Sequence, residues 1–306
     1  MLYGRERFYM TGNIVIFVTD QRQSNLAACL PGKIHRLDWR RGVEKEEALE
    51  VLDNSKYLVL PVPVTKIERN HDVNLILKEE LTGKKERDWI LFGGVFGPEW
   101  RQRCEDAGTE YYDMMTDAVV VHRNACITAE ATVAEILKYS DYSIRGQKII
   151  VSGYGRCGRE IARVLSAMGA KVTVLARSVE ARRLARTEGH EAVDFSYGPE
   201  EAYGARTVVN TVPALVIREP MIREMHSDAV IIDIASRPGG TDLMAAEDVL
   251  KRGITGVDVV RALAESGYQD VAESVLNMLK QSCGGIGTSG AVYDKEQCQS
   301  AGRCNS

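Results

Sequence analysis

The chain has 306 residues, 44% hydrophobic and 27% charged, and its 39 Lys and Arg against 43 Asp and Glu leave a net charge of −4. That length suggests two domains with a core each, and mild acidity with dispersed basic residues argues against nucleic-acid binding. No apolar run reaches the roughly twenty residues of a membrane span, and the N-terminus lacks the charged-then-apolar order of a signal peptide.

The seven cysteines are odd in number and contain no C-x-x-C pair. A reducing cytoplasm fits better than a disulfide scaffold or a zinc ribbon. The five histidines show no H-x-x-x-H spacing, so no built-in metal site is expected.

Taken in order, residues 13–18 (NIVIFV) read as a buried strand running into the polar turn 19–24. A polar turn after a buried strand is where open α/β sheets place ligand contacts. Arg22 can grip a carboxylate through two parallel hydrogen bonds; equally, Asp20 can cap the next helix and Arg22 lie on the surface. Helical material follows near 25–30, then an extended run 34–39, a helix 44–52, a strand 57–60 stopped by Pro61 and Pro63, a helix 73–81, a strand 89–92, a helix from Pro98 to Ala107, and a short strand 110–114. Strands alternating with helices predict a parallel sheet covered on both faces.

Asn124–Glu130 introduces a long helix, 130–140, with Thr128 as N-cap and Glu130 in the first turn, where the dipole favours an acid. This helix is expected to join two domains, so that Asn124, Thr128 and Glu130 could face the cleft between them; a plain helix start accounts for the same residues.

Residues 148–178 carry the strongest signal. Ile149, Ile150 and Val151 form a strand that ends at Gly153. Gly153, Gly155 and Gly158 complete G-x-G-x-x-G, with Tyr154, Arg156 and Cys157 between them. A helix carrying Ile161, Val164, Leu165 and Met168 follows, and a second strand, 172–175, comes after Gly169. In that context the glycines predict dinucleotide binding, with the pyrophosphate on the helix N-terminus. An acid after the second strand would hold the ribose hydroxyls of NAD; the chain has Arg177 and Ser178 there. Arg177 can take the 2′-phosphate of NADP by charge-assisted hydrogen bonds, so NADP(H) is the expected cofactor. Further strands are expected at 192–195, 207–212, 229–234 and 256–260, and a last amphipathic helix at 270–281. Residues 283–306, rich in Gly, Ser, Gln and Cys, are expected to be a mobile tail.

The fold class is therefore α/β: two doubly wound parallel-sheet domains, the second a Rossmann dinucleotide-binding domain, joined by a long helix. The expected divisions are 1–125 for a flavodoxin-like substrate-side domain, 126–144 for the linking helix, 145–264 for the NADP domain, 265–282 for a helix returning to the first domain, and 283–306 for the tail.

Several blocks together resemble the A-type component of dipicolinate synthase. They are Asp20-Gln21-Arg22-Gln23; Leu60-Pro61-Val62-Pro63; Asn124 to Glu130; Gly153 to Gly158; Ala176-Arg177; Thr211-Val212-Pro213-Ala214; and Asp233 to Asp242, which contains Ser236, Pro238, Gly239, Gly240 and Thr241. The chain departs from that pattern at Val18-Thr19, where the family has glycines, at 259–262, where it has a Gly-Leu-Pro-Gly loop, and in the cysteine-containing tail. The resemblance implies an oxidoreductase that turns a dihydrodipicolinate-type ring into dipicolinate in spore formation, its partner being a dipicolinate synthase B-type flavoprotein-like subunit. It further implies that Arg22 and Gln23 hold one substrate carboxylate, and that Gly239, Gly240 and Thr241 hold the other. Asn124, Thr128, Glu130 and Ser236 are then candidates for orienting the substrate or handling protons. Thr211, Val212 and Pro213 join the glycine loop, Arg177 and Ser178 as cofactor contacts.

Two other readings stay open: an NADP-dependent dehydrogenase of a 2-hydroxy or 2-amino acid, and a non-catalytic NADP(H)-binding subunit. Whether the chain forms homo-oligomers is also open.

Overall fold

The computed structural model describes residues 13–19, 21–30, 33–38, 43–69, 77, 88–236 and 238–249. They divide into two α/β units between Val121 and His122.

Unit 1 runs β1 (Asn13–Val18), α1 (Gln21–Cys29), β2 (Ile34–Asp38), α2 (Lys45–Asp53), β3 (Ser55–Val59), β4 (Ile90–Gly93), α3 (Pro98–Asp106) and β5 (Glu110–Asp113). All neighbouring strands pair in parallel, in the order β2-β1-β3-β4-β5. Ile14 to Val18 are buried without a break, as a strand covered on both faces requires. The core gathers Phe17, Leu37, Leu58, Leu91, Phe96 and Trp100. The order of strands reverses at β1 and β3, so the ligand crevice of such a sheet lies beyond the carboxyl end of β1.

The segment after β1 is shorter as a turn than the sequence suggests. Helix α1 starts at Gln21 rather than near residue 25, so Arg22 and Gln23 stand in its first turn. No glycine or proline separates Gln21 from Leu26, and burial of Leu26, Ala27 and Leu30 carries the helix back to the strand.

Unit 2 contains β6 (Lys148–Ser152), β7 (Lys171–Leu175), β8 (Glu191–Val193), β9 (Thr207–Asn210) and β10 (Val230–Asp233). They form a second parallel sheet in the order β10-β9-β6-β7-β8. Ile150, Leu175, Val208, Ile217, Ile222 and Ile231 build one core on it. The order reverses at β6, between β7 and β9.

The long helix, α4 (Ala118–Tyr139), begins well before the expected 126–130. Asp117 caps it, its Oδ1 accepting from the N–H groups of Val119 and Val120 at 2.8 Å each. Val119, Val120 and Val121 are poor helix formers by propensity, which hides this start in the sequence. The cap and the burial of Val120, Ala125 and Ala129 outweigh that preference. The expected helices 73–81 (apart from Leu77) and 270–281, the expected strand 256–260 and the tail lie outside the described residues, as does the side chain of Arg22.

Candidate functional site

The glycine turn joins β6 to α5 (Arg156–Ala167). Gly153 takes φ 90°, a left-handed conformation that glycine adopts without a Cβ clash. A Cβ on Gly153 would stand 2.5 Å from Thr211 Oγ1 and 2.8 Å from Val212 Cγ2. One on Gly158 would stand 3.0 Å from the Gly153 carbonyl carbon and nearer still to its oxygen. These two glycines therefore let the turn, the helix and the Thr211–Val212 segment close on one another. Gly155 differs: a Cβ there meets no atom within 4 Å. It is exposed, it is the N-cap of α5, and no side chain caps the helix. The free N–H groups of the first turn thus open onto accessible space, the geometry that receives a pyrophosphate. The residues fit a dinucleotide.

Tyr154 points elsewhere. It is buried, its hydroxyl donates to Glu188 Oε2 at 2.6 Å, and its ring meets His190 edge-on with centroids 6.0 Å apart. Arg159 Nε donates to the same Glu188 oxygen at 2.9 Å. Burial, then the Glu188 carboxylate, raises the phenol above its ordinary range. What Tyr154 offers a ligand is main chain. Cys157 is half-buried; burial raises its thiol pKa, with a hydrogen bond to Thr128 and the charge of Arg156 opposing. The shift favours a neutral thiol over a nucleophilic thiolate.

Beyond β7 the chain runs Ala176-Arg177-Ser178 into α6 (Val179–Thr187). Arg177 is exposed. The Ser178 oxygen accepts from Ala181 N at 3.0 Å as the helix cap, a bond that leaves its own proton for a ligand. Arg182, which the sequence did not single out, fixes this turn. Its Nη1 donates to Ala176 O at 2.6 Å, Arg177 O at 2.7 Å and Asp194 Oδ2 at 2.7 Å.

The ends of β9 and β10 are braced by two buried residues. Asn210 Nδ2 donates to Val212 O and to Asp233 Oδ1, both at 3.0 Å, and Asn210 Oδ1 accepts from Val212 N at 3.1 Å. Thr211 Oγ1 donates to Ser152 O at 2.8 Å. The Thr211–Val212 segment is thereby held beside Gly153, with Pro213 exposed after it. Asp233 organises the following loop: Oδ1 accepts from Ala235 N at 3.0 Å, and Oδ2 from Gly240 N at 2.9 Å and Thr241 Oγ1 at 2.7 Å.

That arrangement corrects one expectation. The Gly240 N–H and the Thr241 hydroxyl are engaged by Asp233, and the Gly239 N–H donates to Ser236 O at 2.9 Å. None of the three donors is left for a substrate carboxylate. Gly240 is required for packing instead, since a Cβ would collide with Val212 O, Asn210 Nδ2 and Ala214 O. Ser236 itself is exposed.

Thr128 needs a second correction. It lies inside α4, not at its start, is 5% exposed, and donates to Asn124 O at 2.7 Å. It is neither an N-cap nor a free proton donor. Asn124 is half-buried and Glu130 exposed. Gln23 is buried, with Thr19 Oγ1 donating to its Oε1 at 3.3 Å.

Residues 117–262 match the family model of the NAD binding domain of D-isomer specific 2-hydroxyacid dehydrogenases. Residues 222–303 match that of the dehydratase large subunit, so the two likenesses overlap over 222–262. The chain is 30% identical over 206 residues to the A-type component of dipicolinate synthase from Bacillus subtilis (strain 168), which covers 64% of this chain and 67% of that protein. It is 37% identical over 107 residues to the glycerol dehydratase large subunit of Citrobacter freundii, 32% of this chain but 19% of that protein. Among solved structures, the A-type component of dipicolinate synthase from Bacillus halodurans superposes with a TM-score of 0.65 at 21% identity, covering 89% of this chain and 98% of that one. Residues 259–262, where the A-type pattern breaks, fall within the stretch that resembles a dehydratase. Among the described residues, no helix is long and apolar enough to cross a membrane.

Proposed function

The chain belongs to the A-type family of dipicolinate synthase components, and on that premise we propose that it is an NADP-dependent oxidoreductase component that converts a dihydrodipicolinate-type ring to dipicolinate. The observation that carries the reading is the open face over Gly155 at the α5 N-terminus, with Arg177 and no acid at the end of β7. When bound, NADP+ would supply the two-electron acceptor that oxidation of the ring to the aromatic dicarboxylate needs, the second hydrogen leaving as a proton. Gly153, Gly155, Arg156 and Gly158 hold the pyrophosphate, and Arg177 with the Ser178 hydroxyl takes the 2′-phosphate. The braced Thr211-Val212-Pro213 segment shapes the nicotinamide end.

Arg22 holds one substrate carboxylate as a two-pronged donor, and Gln23 positions the first turn of α1. Asn124, Glu130 and Ser236 orient the ring or relay the proton. Aromatisation supplies driving force, so a strong base is not needed. The proposed partner is a B-type flavoprotein-like subunit.

The test supplies freshly made dihydrodipicolinate and NADP+, with and without the B-type partner, and records dipicolinate absorbance. Product from the chain alone supports an independent enzyme, and product only with the partner supports a two-component one. No product under either condition, with NADPH still bound, refutes the substrate and leaves the cofactor site standing.

A second reading is favoured by the match to the 2-hydroxyacid dehydrogenase domain: oxidation of a 2-hydroxy acid with NADP+. Such chemistry needs a proton acceptor, and exposed His122 is the candidate. A panel of 2-hydroxy acids assayed for NADPH formation, with His122→Ala as control, separates it from the first.

A further inference from the structure

Helices α4 and α5 bring together three side chains of different sequence origin. His122 and Cys126 are four residues apart on one face of α4, and Glu160 faces them from α5. His122 Nε2 lies 3.7 Å from Cys126 Sγ, and Cys126 Sγ lies 3.5 Å from Glu160 Oε1. The three donor atoms are all within 4.8 Å of one another. We propose that His122, Cys126 and Glu160 bind one divalent cation of the Zn2+ class, with a fourth position open to water.

The spacing suits such an ion. With metal–sulfur bonds of about 2.3 Å and metal–nitrogen or metal–oxygen bonds of about 2.0–2.1 Å, tetrahedral ligands stand about 3.3–3.6 Å apart. The two separations from Cys126 Sγ fall at or near that edge length, and the His122 to Glu160 separation, within 4.8 Å, closes by side-chain rotation on binding. The donor set of imidazole, thiolate and carboxylate selects Zn2+ or Co2+ over Mg2+ and Ca2+, which favour all-oxygen sites.

The charges around the cluster are also compatible. Glu160 is buried, and Arg163 Nε donates to both its oxygens at 3.1 Å. That ion pair fixes the orientation of the Glu160 carboxylate towards the cluster. A carboxylate can accept from Arg163 and still coordinate, and such outer partners orient metal ligands. A coordinating thiol is bound as thiolate, so the cation takes the place of the thiol proton, which is released to solvent. His122 also serves the second reading above, so the site is tested by metal binding rather than by activity.

The test uses the full chain with Cys283, Cys298 and Cys304 changed to Ser, so that the C-terminal thiols cannot supply the signal. It is titrated with Co2+, followed by sulfur-to-cobalt charge-transfer absorption, and then competed with Zn2+ and Mg2+. The expected result is one bound equivalent, displaced by Zn2+ and not by Mg2+. Cys126→Ser should abolish the charge-transfer band. His122→Ala and Glu160→Gln should weaken binding at least as much as the roughly 10–100-fold that loss of an outer partner costs. His122 is exposed, so its variant should melt with the parent when metal-free. Absence of stoichiometric binding overturns the proposal, as does binding that His122→Ala and Cys126→Ser leave unchanged.

Discussion

Gly155 and Gly158 sit three residues apart in one turn, yet alanine should act on them in opposite ways. At Gly158 a Cβ meets backbone, 3.0 Å from the Gly153 carbonyl carbon and 3.2 Å from Thr211 Oγ1. Backbone cannot swing aside, so α5 must lift off the end of β6. Overpacking of this kind costs about 1–3 kcal/mol, which for a unit of this size lowers the melting temperature by about 2–4 °C per kcal/mol. At Gly155 a Cβ meets nothing within 4 Å, and the backbone, at φ −78° and ψ −166°, is extended. Alanine there should change stability by less than about 1 kcal/mol, since glycine's advantage over alanine as an N-cap offsets the freedom the unfolded chain loses. The new methyl nevertheless occupies the space a pyrophosphate must enter. A loss of about 1.4 kcal/mol or more, tenfold in Kd, is expected for both NADPH and NADH. Thermal melting and calorimetric titration of the two variants give four numbers. If Gly155→Ala binds dinucleotide like the parent, the open face is not the pyrophosphate site. If Gly158→Ala melts with the parent, the described contact between turn and helix is wrong.

Arg177→Ala should weaken NADPH by the roughly 1.5–3 kcal/mol of a charged hydrogen bond while leaving NADH unchanged; equal effects on both, by fluorescence titration, would remove Arg177 from the 2′-phosphate. Asp233→Asn places an amide against the buried Gly240 N–H or the Thr241 hydroxyl, and urea unfolding should show a loss of about 1–3 kcal/mol for the unpaired donor. Burial lowers the pKa of His190 from 6.5, so below that value the unfolded state binds more protons than the folded one. Stability tied to His190 is therefore complete above pH 6.5 and lost as pH falls towards the depressed value; His190→Gln should flatten that part of the stability–pH curve, and an unchanged curve would refute the assignment.

Much of the fold was legible because its signals are local. An unbroken apolar run such as 14–18, short and rich in β-branched residues, reads as a doubly covered strand. A glycine triplet between Val151 and Ile161 restricts what the backbone can do. The start of α4 was not legible, since Val119 to Val121 carry a strand preference that only Asp117 and burial override. The roles of Gly240 and Thr241 were not legible either. Their residue types suit both a turn and an anion site, and the choice lies with Asp233, seven and eight residues away.

The metal-type cluster marks the same boundary more sharply. His122 and Cys126 share a helical spacing that a search for paired histidines passes over, and Glu160 arrives from another helix, 34 residues on from Cys126. The sequence by itself determined the two parallel α/β units, the glycine turn and the basic residue after β7, because each depends on periodicity or on a backbone conformation that only certain residues allow. Tertiary structure decided which polar groups face outward. Tyr154, Thr128, Gly240 and Thr241 turned out to hold the protein together, because a buried donor takes whatever acceptor the packing brings within reach, and that pairing is set by the fold rather than by spacing along the chain.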